Sequence, residues 1–150
     1  MKKLLIPLLV IVGIAAVAFG YWTISPLFID VRVSEEMPPA PATAEMKILA
    51  KGEFAGLEGH SASGKAEILE VDGKRYIRFE ENFKVTNGPD LFVYLGRGGK
   101  YDSAANLGSL KGNIGSQNYE IPESINLADY DSVWVWCRAF RVGFGAAKLQ

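Results

Sequence analysis

Hydrophobic positions along the chain follow two regimes. From Leu4 to Ile29 there are 26 residues without a formal charge, while beyond residue 48 the apolar residues come in short runs broken by turn formers. A bilayer core of ~30 Å needs about 20 helical residues, and Leu4 to Trp22 supplies them before Pro26 discourages further helix. The pattern predicts a transmembrane anchor within residues 1–29. Ala16-Val17-Ala18 is a small-x-small triplet of the kind a signal peptidase reads, so a cleaved signal peptide is the rival. Cleavage at Ala18 would leave the apolar stretch Phe19 to Ile29 as the new terminus, which favours the uncleaved anchor. Lys2 and Lys3 then stay in the cytoplasm, and Tyr21 and Trp22 suit the far interface. Either way the rest of the chain is expected outside the cytoplasm.

Residues 30–47 carry three prolines and mixed charges with no sustained period, which predicts an extended tether. Residues 48–150 are left for one domain. KAEILEV and KRYIRFE flank Asp72-Gly73, a dipeptide suited to a type I′ turn. Counting outward pairs Val71 with Lys74, Glu70 with Arg75, Leu69 with Tyr76, Ile68 with Ile77, Glu67 with Arg78 and Ala66 with Phe79. Ala66, Ile68, Ile77 and Phe79 then share one face, and opposite charges meet twice. LFVYL at 91–95 is apolar on both faces and predicts an interior strand, and SVWVWC at 132–137 and FRVGF at 140–144 predict two more. Residues 96–118, rich in Gly, Ser and Asn, are expected to be long loops. The whole predicts an all-β fold, an antiparallel β-sandwich of jelly-roll or DOMON-like type or a related barrel, behind one transmembrane helix.

Charge and composition narrow the chemistry. With 16 basic and 17 acidic residues the chain has no electrostatic case for nucleic acid as partner. One cysteine and one histidine exclude, within this chain alone, a disulfide, a four-ligand Cys/His zinc site, a CxxC redox pair, a CxxCH haem attachment and a blue-copper centre. No cofactor is demanded, and haem or copper would need ligands from a partner. No nucleophile-elbow GxSxG or P-loop is present.

Four segments carry a family likeness: GEFAGLEGHSASG at 52–64, NFKVTNGPDLFVYL at 82–95, LGSLKGNIGSQNYEIP at 107–122 and YDSVWVWCRAFRVGFGAAKL at 130–149. In this order they resemble the electron-transfer DM-thirteen domain of Skeletor-type extracellular proteins. The resemblance implies a β-rich fold related to extracellular haem- or sugar-binding sandwiches. It also implies a redox role resting on a characteristic cysteine, at whose position Cys137 stands.

Cys137 ends a strand in which Val133, Val135 and Cys137 point one way and Trp134 and Trp136 the other. A lone cysteine beside two valines is ordinary core, and the two tryptophans, which could flank a cofactor or stack on a sugar ring, are first of all core mass. As a redox thiol, Cys137 would be helped toward the thiolate by the adjacent Arg138 and would exchange disulfides or oxidise reversibly. His60, in a glycine-flanked polar loop, is a weaker candidate, acting as a base toward that thiol if the fold joins them. The expectation is an extracytoplasmic electron-transfer or thiol-redox module, not a turnover enzyme, with a redox or envelope protein as partner. The alternative is an envelope binding or adhesion module for a saccharide or protein, in which Cys137 only packs.

Overall fold

Short apolar runs between turn residues become ten strands in the structure, a computed structural model that describes residues 2–25, 28–38 and 45–150. They are β1 (Met46–Gly56), β2 (Ala62–Ser63), β3 (Lys65–Val71), β4 (Lys74–Phe79), β5 (Lys84–Val85), β6 (Leu91–Arg97), β7 (Lys100–Ser109), β8 (Gln117–Ile121), β9 (Ser132–Cys137) and β10 (Val142–Lys148). Eight of them form one sheet in the order β7-β6-β9-β10-β1-β3-β4-β8, and β2 and β5 make a small ribbon. Every ladder is antiparallel. The end strands β7 and β8 come into contact, so the sheet curls nearly shut.

The all-β antiparallel fold is as expected, and of the two architectures it lies nearer the barrel than the two-sheet sandwich. β1 pairs with β3 from Met46 to Glu53 and with β10 from Phe54 to Gly56, and its register shifts between Ile48 and Ala50. Such an irregularity bends a strand, which lets β1 carry the sheet around a corner. One curved sheet thereby encloses one core, with Phe79, Phe83, Val93, Leu95, Val133 and Val135 all at 0% exposure. Phe54, Phe79 and Phe83 meet there at centroid distances of 4.5 to 5.0 Å, two of the three contacts edge-on.

The β3–β4 hairpin has the expected register at all six pairs, with Asp72 at φ 50° and Gly73 at φ 76°. Its ion pairs are redistributed. Glu67 pairs with Lys51 of β1 at 3.2 Å, and Arg78 pairs with Glu80 at 3.0 Å. The segment 96–118, expected as loops, instead supplies β7 and the first two residues of β8. β7 lies at the end of the strand order, where glycine and polar residues are tolerated, and its register against β6 shifts twice. The strand expected at 140–144 begins later, at Val142, because Phe140 belongs to the turn and is 56% exposed.

At the N-terminus α1 spans Lys2–Ile24 with Pro7 inside it. Among the described residues no helix is long and apolar enough to cross a membrane. The expected span from Leu4 to Trp22 has both end side chains outside the described residues. The transmembrane helix expected there is therefore not borne out.

Residues 30–38 also depart from expectation, since they lie against the domain as a strap. The Val33 N–H donates to the Ile114 carbonyl and the Glu35 N–H to the Ser116 carbonyl, both at 2.9 Å. Asp30 accepts from the side-chain amides of Asn113 (2.8 Å) and Asn87 (3.1 Å), and Glu35 accepts from Lys111 Nζ (2.7 Å) and the Asn118 N–H (2.8 Å). Burial pushes the Glu35 carboxyl up, but the bonds from Lys111 and Asn118 outweigh it and leave it below its ordinary value. Two glycines make the bed. A Cβ on Gly115, at φ +97°, would run into the Val33 carbonyl oxygen, and one on Gly112 would stand 2.5 Å from Val33 Cγ2. Gln117, at 0% exposure, holds this loop from inside. Its Oε1 accepts from Tyr119 Oη (2.6 Å) and the Lys111 N–H (3.1 Å), and its Nε2 donates to the Gly112 carbonyl (2.9 Å). The remaining expected tether, 39–44, lies outside the described residues.

Candidate functional site

Cys137 occupies the inward face of β9. It pairs with Leu91 of β6 and Val142 of β10, and its exposure is 0%. Among the described residues its sulfur has no hydrogen-bond partner, and no group of three or more His, Cys, Asp or Glu side chains is placed to hold a metal. Arg138, expected to attend the thiol, is engaged elsewhere. Its guanidinium donates to both Asp90 carboxylate oxygens (3.2 and 3.1 Å) and lies 3.5 Å from the Phe92 ring centroid. The hydrogen bond from Arg138 to Asp90 raises the guanidinium pKa further above its ordinary value.

His60 follows the turn after β1, where its N–H donates to the Leu57 carbonyl (2.9 Å). Its ring stacks on Phe144 at 3.7 Å and 11°. Phe144 is a core side chain of β10, 1% exposed, whose ring tip is close enough to Gly88 to exclude any larger residue there. Among the described residues no hydrogen bond joins His60 to Cys137, and one face of the imidazole is taken by Phe144. The expected thiol–imidazole pair is therefore not joined by a hydrogen bond in the structure.

The chemistry-bearing side chains gather instead on the outside of β6, β9 and β7. Alternation puts Val133, Val135 and Cys137 inward, so Trp134 and Trp136 face outward and are only half-buried, a correction to their reading as core. Trp136 stacks on Tyr101 of β7 at 4.1 Å and 26°. Tyr101 meets Tyr94 of β6 edge-on at 5.2 Å, and Tyr94 lies 6.5 Å from Phe92, over which Arg138 sits. Burial raises the Tyr94 phenol above its ordinary pKa and keeps it protonated. Trp134, Trp136 and Tyr101 border an open groove of about 390 Å³, with Glu58, Lys100 and Ser103 beside them. Tyr101 escaped the sequence reading because its segment carries the composition of a loop. Tyr94 escaped it because LFVYL is apolar on both faces.

The model of the family described as Electron transfer DM13 matches residues 53–149. The chain belongs to that family. No curated protein and no solved structure matches it. The matched DM13 span begins inside β1 and ends just past β10, so the family unit is the curled sheet itself. The strap and α1 lie before it. Within the DM13 domain the aromatic face and the buried Cys137 are back to back on β9.

Proposed function

We propose that this chain is an electron-transfer module held at a membrane surface, in which charge passes through the outer aromatic stack and not through thiol exchange. The observation that carries the reading is the run Trp136–Tyr101–Tyr94, at centroid steps of 4.1 and 5.2 Å, on a domain of an electron-transfer family. A one-electron oxidant at Trp136 takes an electron from the indole, giving an indole radical cation and the reduced oxidant. Tyr101 returns an electron to the indole and releases its phenolic proton to water. A one-electron donor then restores Tyr101, with uptake of a proton. Cys137 is poorly suited to this task, because a thiol losing an electron must also lose its proton and no neighbour is placed to accept it.

The tethering part rests on α1. From Ile6 to Tyr21 its large apolar side chains are 55% to 73% exposed, and a helix apolar on every side is stable only in an apolar phase. With Lys2 and Lys3 on the cytoplasmic side, the domain is extracytoplasmic, and its partner is a redox protein of the envelope. Flash oxidation of the full chain in detergent by a ruthenium polypyridyl sensitiser and quencher tests the relay. Tyrosyl radical is expected, with a yield several-fold lower in Trp136→Phe. An equal yield in that variant would overturn the route.

A further inference from the structure

Trp134 lies flat along the sheet. A Cβ on Gly96 of β6 would run into its indole Nε1, so on that side the ring occupies space that only a glycine leaves free, and on the other side a Cβ at Gly143 of β10 would stand at ordinary contact distance, 3.4 Å, from its Cζ3. Its Nε1–H donates to Ser132 Oγ at 3.0 Å, which fixes the ring plane and leaves no polar atom of the indole unsatisfied. One ring face is thus spent on the backbone, while the other borders the groove of about 390 Å³. We propose that this groove binds a saccharide, with a pyranose ring stacked on Trp134 and its hydroxyls bonded to Glu58 and Lys100.

Two features choose a sugar over a planar aromatic ligand. Trp136 and Tyr101, the other rings of the groove, stack on each other at 4.1 Å and 26°, so one face of each is already taken by the other and not by a flat ligand. The exposed polar groups are an obligate acceptor, Glu58, and an obligate donor, Lys100, with Ser103 able to do both. Hydroxyl groups satisfy donor and acceptor together. Quinone carbonyls only accept, and would meet the Glu58 carboxylate as acceptor against acceptor. A pyranose combines one apolar ring face with an equatorial edge of hydroxyls, which matches a single aromatic plate beside mixed polar groups.

The test uses the full chain in a zwitterionic detergent without a sugar headgroup, titrated with cellohexaose, chitohexaose and menadione while tryptophan fluorescence is followed. A saturable change with at least one hexasaccharide is expected. It should be abolished in Trp134→Ala and weakened several-fold in both Glu58→Gln and Lys100→Ala, whose side chains are exposed and whose thermal midpoints should match the wild type. If Trp134→Ala fails to fold, the two exposed variants decide. The proposal is overturned by no saturable response to either glycan, by saturation with menadione alone, or by glycan binding that both Glu58→Gln and Lys100→Ala leave unchanged. The glycans are redox-inert and menadione in its ground state is far too weak an oxidant to take an electron from tryptophan or tyrosine, so these outcomes are independent of the electron-transfer reading.

Discussion

Replacing Cys137 with serine should cost more stability than replacing it with alanine. The side chain is at 0% exposure between Leu91 and Val142 and shares its face with Val133 and Val135, both also at 0%. Alanine removes one heavy atom beyond Cβ, a deletion on the scale of Ile→Val, about 0.5–1.5 kcal/mol. Serine keeps nearly the same shape, so it opens no cavity. It does place a hydroxyl where the sulfur has no hydrogen-bond partner among the described residues, and an unsatisfied buried hydroxyl costs about 1–3 kcal/mol. Serine should therefore be the less stable variant by about 1 kcal/mol. With a urea slope of about 2 kcal/mol per molar, that is a midpoint roughly 0.5 M lower. Urea unfolding followed by the fluorescence of Trp134 and Trp136, on the opposite face of the same strand, reads the difference. A serine variant as stable as the alanine variant would refute the sealed, apolar site, and with it the argument against thiol chemistry. Native alkylation should agree, with Cys137 reacting only at the rate of unfolding.

Other perturbations address the strap and the loop beneath it. Gly115→Ala puts a side chain at φ +97° and into the Val33 carbonyl, so limited proteolysis should cut within 30–38 while the sheet stays intact; a wild-type digestion pattern would count against the strap. Glu35 titrates below its ordinary value of 4.5 when folded, so its contribution is complete above that pH and is lost as pH falls through the lowered value. The amide resonance of Val33 should accordingly shift in acid, and in Glu35→Gln that movement should be smaller. Gln117→Leu strips the Gln117 partner from the Tyr119 hydroxyl and from the Gly112 N–H and carbonyl, the Lys111 N–H keeping Tyr119 Oη, and should cost at least about 2 kcal/mol in chemical denaturation.

The β3–β4 hairpin was legible to the residue because a two-residue turn and a period of two leave no freedom of register. The SVWVWC strand was half legible. Alternation separates Val133, Val135 and Cys137 from Trp134 and Trp136, but both sets are apolar, and only closure of the sheet decides which set is enclosed. Here the smaller side chains take the interior, and the tryptophans find their apolar contacts on Gly96, Gly143 and Tyr101 outside. β7 was illegible for a different reason. Its side chains are those of a loop, and its strand character comes from pairing with β6 at the end of the strand order, a partnership that local composition does not encode. The strap was hidden likewise, since its polar residues are satisfied by groups about 80 positions away, as with Asp30 and Asn113.

The strap changes what an anchor would do. A free tether over residues 30–47 would let the domain stand tens of Å from a bilayer, at ~3.1 Å per residue. The first docked residue is Asp30, however, and only six residues of travel separate it from Ile24, the end of α1. At no more than ~3.4 Å each, these reach about 20 Å. With α1 in a membrane, the corner of the domain that holds Asn87 and Asn113 must therefore stay within about 20 Å of the point where the helix emerges. Residues 30–38 are fixed along 113–118, so this corner is the same in every molecule, and a helix held in a membrane would present the sheet to it by one edge. A redox partner in solution and one in the same membrane would then meet different faces. The aromatic stack on β6, β7 and β9 becomes available to one of them through where the strap is bound, before any affinity is considered.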